Sequence, residues 1–143
     1  MLPLTKFMAA GDLAALAPEL AVVDILFGEG QHPARRWEYG LALKAAEQTK
    51  PQGPRLPGGS ALDIGGAGSP LGGILLEAGW TVHVVDPRVN YTLHDYSYSG
   101  RAADLVVCVS VIEHVLYLEV FIAVLVRVVL PAGTLFLTSD CWD

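Results

Sequence analysis

Only two of the 143 residues are cysteines, and only nine are lysine or arginine against fifteen aspartate or glutamate. Two cysteines build no disulfide framework, and Cys108 lies inside an apolar run, where a small buried thiol is the simplest reading. The net charge of −6 argues against a sequence-independent grip on nucleic-acid backbones, which needs clustered Lys and Arg. Long hydrophobic runs are also missing. The longest, Val115 to Leu130, is interrupted by Glu119 and Arg127 and makes a poor membrane span. Met1 to Lys6 lacks the basic segment, apolar core and small-residue cleavage site of a secretory signal, so a soluble, reducing, cytoplasmic setting is expected. His32, His83 and His94 have no Cys or carboxylate partners at metal-ligand spacing, and no structural metal is expected.

What is present is apolar. Hydrophobic residues make up 52% and charged residues 17% of the chain, with a mean hydropathy of +0.44. Residues 1–143 are expected to form one domain with one buried core. Within it, 1–59 reads as a helical lead-in and loop, and 60–143 as an α/β core. In the lead-in, Leu13, Leu16, Leu20, Val23 and Leu26 recur at helical spacing, with a break near Pro18. A turn follows at Gly28 to Pro33, then a helix over Arg35 to Thr49 with Trp37, Leu41, Ala45 and Gln48 at helical spacing. Pro51, Gly53, Pro54, Pro57, Gly58 and Gly59 mark a loop.

From Ser60 strands and helices alternate. A strand over Ala61 to Ile64 enters Gly65-Gly66-Ala67-Gly68, and Ser69-Pro70 resembles the cap and first position of a helix running to Ala78. A second strand, Thr81 to Val85, closes on Asp86-Pro87, and a third is expected at Tyr91 to His94, before a polar turn from Asp95 to Arg101. Leu105 to Val111 is a continuous apolar run of the kind covered on both faces. A helix is expected over Leu116 to Val129, a turn at Pro131-Ala132-Gly133, and a fifth strand over Thr134 to Ser139. The pattern predicts a doubly wound, mostly parallel sheet of about five strands with right-handed crossovers.

Such sheets bind ligands outside the carboxyl ends of their strands, where the winding reverses. The glycine loop after the first strand lies there, and the free amides opening the next helix favour an anionic group. Asp63 ends the strand that feeds this loop and is placed to accept from a ligand ammonium. Asp86 ends the second strand, where a carboxylate takes both hydroxyls of a ribose. A ligand with an amino acid at one end and a ribose in the middle satisfies both.

Four segments, in order and spacing over residues 60–139, resemble class I S-adenosylmethionine-dependent methyltransferases. Leu62-Asp63-Ile64-Gly65-Gly66-Ala67-Gly68-Ser69 is similar to the family's first motif and Val84-Val85-Asp86-Pro87 to its second. Asp104 to Val115 resembles the fourth-strand motif, and Leu130-Pro131-Ala132-Gly133-Thr134-Leu135 the turn into the fifth. The resemblance implies a Rossmann-like transferase with S-adenosyl-L-methionine as cofactor. It places Asp63, Gly65 and the Gly66-Ala67-Gly68 backbone at the methionine end, Asp86 at the ribose, Asp95 near the adenine, and Ser110 to Glu113 beneath the sulfonium. Glu113 and His114 are the candidates for a general base. Trp37, Glu38 and Tyr39 read as packing on the sheet or as a lid over the cofactor.

The chain departs from the family in two ways. Ala67 and Ser69 stand where the common motif has glycine, and the chain stops after the fifth strand, where the family continues with an antiparallel pair. The resemblance therefore leaves an apolar edge at Leu135-Phe136-Leu137, to be covered by missing sequence, a second copy or a protein partner, unless the domain is a naturally reduced and inactive one. Beside methyl transfer to an unidentified acceptor stand two rivals. One is a non-catalytic methyltransferase-like module used in assembly. The other is an NAD(P)-dependent oxidoreductase, whose glycine fingerprint fails at Leu71.

Overall fold

The computed structural model describes residues 16–27, 33–51 and 58–140. Expectations for the segment before Leu16, the turn at Gly28 to His32, and Gly53, Pro54 and Pro57 of the loop lie outside the described residues. Four strands, β1 (Ser60–Ile64), β2 (Thr81–Val85), β3 (Ala103–Val109) and β4 (Val129–Thr138), form an all-parallel sheet in the order β2-β1-β3-β4. The helices are α1 (Ala17–Phe27), α2 (Pro33–Gln48), α3 (Leu71–Glu77), α4 (Leu93–Tyr98) and α5 (Leu118–Arg127), with a 3₁₀ turn at Ile112–His114.

β3 explains the two-sided core. Its run of Leu, Val and Cys is buried from Ala103 to Cys108, and side chains alternate across a strand. Leu105 and Val107 pack with Val23, Tyr39, Ala42, Leu43, Leu71, Ile74 and Leu75 of α1, α2 and α3. Val106 and Cys108 face the other way, onto Leu93, Tyr96, Val124 and Leu125 of α4 and α5. Helices thus cover both faces of a doubly wound α/β sheet. Burial pushes the Cys108 thiol up to about 12, in keeping with an inert core residue. Asp104, 4% exposed, accepts from both the backbone and the hydroxyl of Ser60 at 2.9 Å, tying the start of β1 to β3.

The third strand expected at Tyr91 to His94 is absent, so the sheet has four strands rather than five. Helical capping wins there. Thr92 Oγ1 accepts from the Asp95 amide at 3.2 Å while the Asp95 carboxylate accepts from the Thr92 amide at 3.1 Å, a reciprocal capping box. Leu93 and Tyr96, three residues apart, then bury on the sheet. The last strand starts earlier than expected. Val129 pairs with Ala103 and Thr134 with Leu105, so Pro131-Ala132-Gly133 survives as a bulge inside β4, with Ala132 at φ 62°. The helix before it is shorter at both ends than the expected Leu116 to Val129.

In α2 the sheet takes the face carrying Tyr39, Ala42, Leu43 and Ala46, a neighbour of the expected Leu41, Ala45, Gln48 stripe. Trp37 packs on Leu16 and Leu20 instead, and α1 begins at Ala17 with Pro18 in its first turn, where a missing amide costs nothing. Ser69 Oγ accepts from the Leu71 amide at 3.1 Å, opening α3. Among the described residues no helix is long and apolar enough to cross a membrane.

Leu125 is fully buried whereas Leu116 is 91% exposed. Leu125→Ala is expected to lower the unfolding free energy by about 2–5 kcal/mol, and Leu116→Ala to stay within about 0.5 kcal/mol, both measured by urea denaturation.

Candidate functional site

The chain runs from β1 outward to β2, then back past β1 to β3. The winding reverses between β1 and β3, and a cleft of about 240 Å³ opens at their carboxyl ends. It is lined by Arg35 and Tyr39 from α2, by Asp63 through Ser69, and by Val109 and Ser110. This is where open parallel sheets hold ligands.

Asp63 closes the floor. It is 2% exposed, and its Oδ2 is buried without a hydrogen-bond partner among the described residues. An uncompensated buried carboxylate costs several kcal/mol. Burial first, and the negative charge of Asp86 second, push its pKa up to about 7, against a smaller opposing pull from the Gly72 amide. Near neutral pH the carboxyl is therefore poised between its two states. The loop above it must be glycine at position 66, because any Cβ there would collide with this carboxylate. At Gly68 the constraint is conformational: its φ is +80° with open space around it.

Asp86 is also 2% exposed but is fully engaged. Its carboxylate accepts from the Ala67 amide at 3.1 Å and the Arg88 amide at 2.9 Å. The Arg88 guanidinium adds Nε to Oδ1 at 3.0 Å and Nη2 to Oδ2 at 2.7 Å. Chiefly through Arg88, this carboxyl is held well below the usual carboxylate range. Asn90 fixes the turn, its Oδ1 accepting from the Asp86 amide at 3.0 Å and its Nδ2 donating to the Val84 carbonyl at 2.8 Å.

Ser110 follows β3 in a left-handed conformation, φ 49°, which is costly for a residue with a side chain. Its hydroxyl donates to Glu38 Oε1 at 3.0 Å, and Thr138 Oγ1 donates to the same oxygen at 2.6 Å. Arg35 Nη1 donates to the other Glu38 oxygen at 2.8 Å. Glu38, 4% exposed, thus staples α2 to the ends of β3 and β4.

Of the residues singled out in the sequence, the fold brings Asp63, Gly65, Gly66, Ala67, Gly68 and Ser110 into one cleft. Asp86 adjoins it through the Ala67 amide. Asp95 does not join them, being exposed and committed to the α4 cap. Glu113 and His114 also lie outside the lining. Glu113 Oε1 accepts from the Asp140 amide at 3.3 Å, and His114 is exposed. Arg35 and Arg88 were not singled out; Tyr39 combines packing with a place in the cleft lining, and Glu38 lies outside the lining, holding Ser110 and Arg35. The sequence signal for Arg88 is its position two residues after a strand-ending Asp, where an Asx turn brings the two together.

No family model, curated protein or solved structure matches this chain.

The folded value of about 7 for Asp63 lies above its ordinary 3.8, so between these values the folded chain binds the extra proton. The stability this contributes is complete below the ordinary value and is lost as pH rises toward 7. Asp86, shifted the opposite way, is lost only on stronger acidification. Urea midpoints between about pH 4.5 and 8 should fall for the wild type, and Asp63→Asn should flatten that fall.

Proposed function

We propose that the cleft binds S-adenosylmethionine and that the chain transfers its methyl group to an acceptor still to be identified. The observation that carries this reading is the buried Asp63 carboxylate, whose Oδ2 has no hydrogen-bond partner among the described residues, at the point where the sheet reverses. Such a group calls for a cation. The amino end of the cofactor supplies an ammonium for Asp63 and a carboxylate for the amides of Gly66, Ala67 and Gly68. Asp86, one strand over, is the acceptor for the ribose hydroxyls. The bound cofactor supplies an activated methyl on its sulfonium, and alignment is the protein's share of the work. Ser110, held by Glu38, forms the wall of the cleft on the side of β3.

A dinucleotide fits less well. Gly72 packs closely on Val84, the tight helix–strand approach for which the expected glycine at position 71 was missing. A pyrophosphate over this loop would nevertheless meet Asp63, whose buried carboxylate repels it. A second reading, that of a partner-binding module, is supported by the exposed apolar side chains of Leu116, Tyr117, Val120 and Val126. These lie on and before α5, which packs against β4, a strand with one neighbour in the sheet. Large exposed apolar side chains are the material of interaction sites when they cluster.

Calorimetric titration with S-adenosylhomocysteine tests the proposal. Micromolar binding is expected, weakened by about 1.5–3 kcal/mol in Asp86→Ala, the value of hydrogen bonds to a charged group. A folded chain that binds nothing, yet sediments as a dimer, would support the second reading instead.

A further inference from the structure

Arg88 occupies the Asp86 carboxylate, the group assigned above to the ribose hydroxyls. Its side chain is 67% exposed, while the carboxylate it grips is 2% exposed. Its fork spans both oxygens of Asp86, and Nη2 also donates to the Ala67 carbonyl at 2.8 Å. With the Arg88 and Ala67 amides added, each carboxylate oxygen already accepts at least two hydrogen bonds. The cleft reflects this: its lining runs from Ser110 and Asp63 to Ser69 and does not include Asp86. At about 240 Å³ it is also smaller than the roughly 300–1,000 Å³ typical of small-molecule sites.

We infer that Arg88 is a latch over the nucleoside half of the site, an internal competitor for Asp86 that the ligand's ribose must displace. The inference rests on the proposed adenosyl ligand. The two backbone amides can stay on Asp86 when the guanidinium leaves, so the carboxylate remains ionised and oriented while two acceptor positions come free. Because the guanidinium is mostly solvated, its departure strands no buried cation, and the ribose hydroxyls take its place as donors to the buried carboxylate. A latch of this kind keeps Asp86 charged in the free chain and lowers affinity by the free energy of the contact between the solvated guanidinium and the buried carboxylate. It acts through Asp86 rather than through any contact with the ligand.

The test is titration of the full chain with S-adenosylhomocysteine in four forms: wild type, Arg88→Ala, Asp86→Ala and the double variant. Arg88→Ala is expected to bind about two- to fivefold tighter than wild type, the range for an exposed pair. That gain is expected to vanish in the Asp86→Ala background, since the cycle isolates effects that pass through the pair. Arg88→Lys, which keeps the charge but loses the fork, should fall between wild type and Arg88→Ala. Wild-type binding that Arg88→Ala leaves unchanged or weakens would overturn the latch while leaving the adenosyl site standing. Absence of binding in wild type and Arg88→Ala alike, with both folded by thermal unfolding, would overturn the adenosyl reading and the latch with it.

Discussion

A carboxyl group with an empty hydrogen-bonding position, sealed beneath a glycine loop at the centre of a parallel sheet, is the constraint around which the rest of this site is arranged. Asp63 is held on β1 between Val84 of β2 and Val107 of β3 in register, so it cannot swing out to water. Its neighbours accommodate it by being small. A Cβ on Gly66 would overlap the carboxylate, and one on Gly72 would come within 3.4 Å of Oδ2. The second carboxylate, Asp86, adds negative charge nearby, which makes the ionised form of Asp63 still less favourable without a cation. Two acids with opposite shifts, one gripped by a guanidinium and one with an oxygen left without a partner, make a site polarised along its length.

The fold supplies the rigidity that keeps such a group in place. β3 is buried on both faces and locks β1 laterally, while Asp104 fastens the two strands at their amino ends. At the carboxyl ends Glu38 does the corresponding work, drawing together Ser110, Thr138 and Arg35. The strained backbone at Ser110 persists because hydrogen bonds on both sides determine it. The cleft therefore has a firm floor and one firm wall, and its other side is the loop between Gly65 and Ser69, onto which Arg88 reaches at the Ala67 carbonyl.

Local patterns made much of this legible in the sequence. The β1 loop and the start of α3 could be read because an apolar strand, four small residues and Ser-Pro are short-range signals. The double coverage of β3 followed from its unbroken apolar run. The supposed third strand went wrong although its signal was present: Thr92 and Asp95 are spaced as a capping box, and Tyr91 to His94 alone mimics a short strand. The rest of the site is non-local. Glu38 meets its partners 72 and 100 residues away, and Arg88 reaches a carbonyl 21 residues back. No window on the sequence contains those pairs. The choice of buried face on α2 was decided by which stripe the sheet could accept, with Trp37 diverted to α1.

The central claim is that Asp63 awaits a cationic group, and carboxyl-carbon NMR of that residue tests it most directly. In the free chain its resonance should titrate near pH 7, the value of about 7 set by burial and Asp86. With saturating S-adenosylhomocysteine the ammonium should hold it ionised, moving the titration well below that point. An ordinary carboxylate titration in the free chain, or a midpoint that the ligand leaves unmoved, would contradict the account.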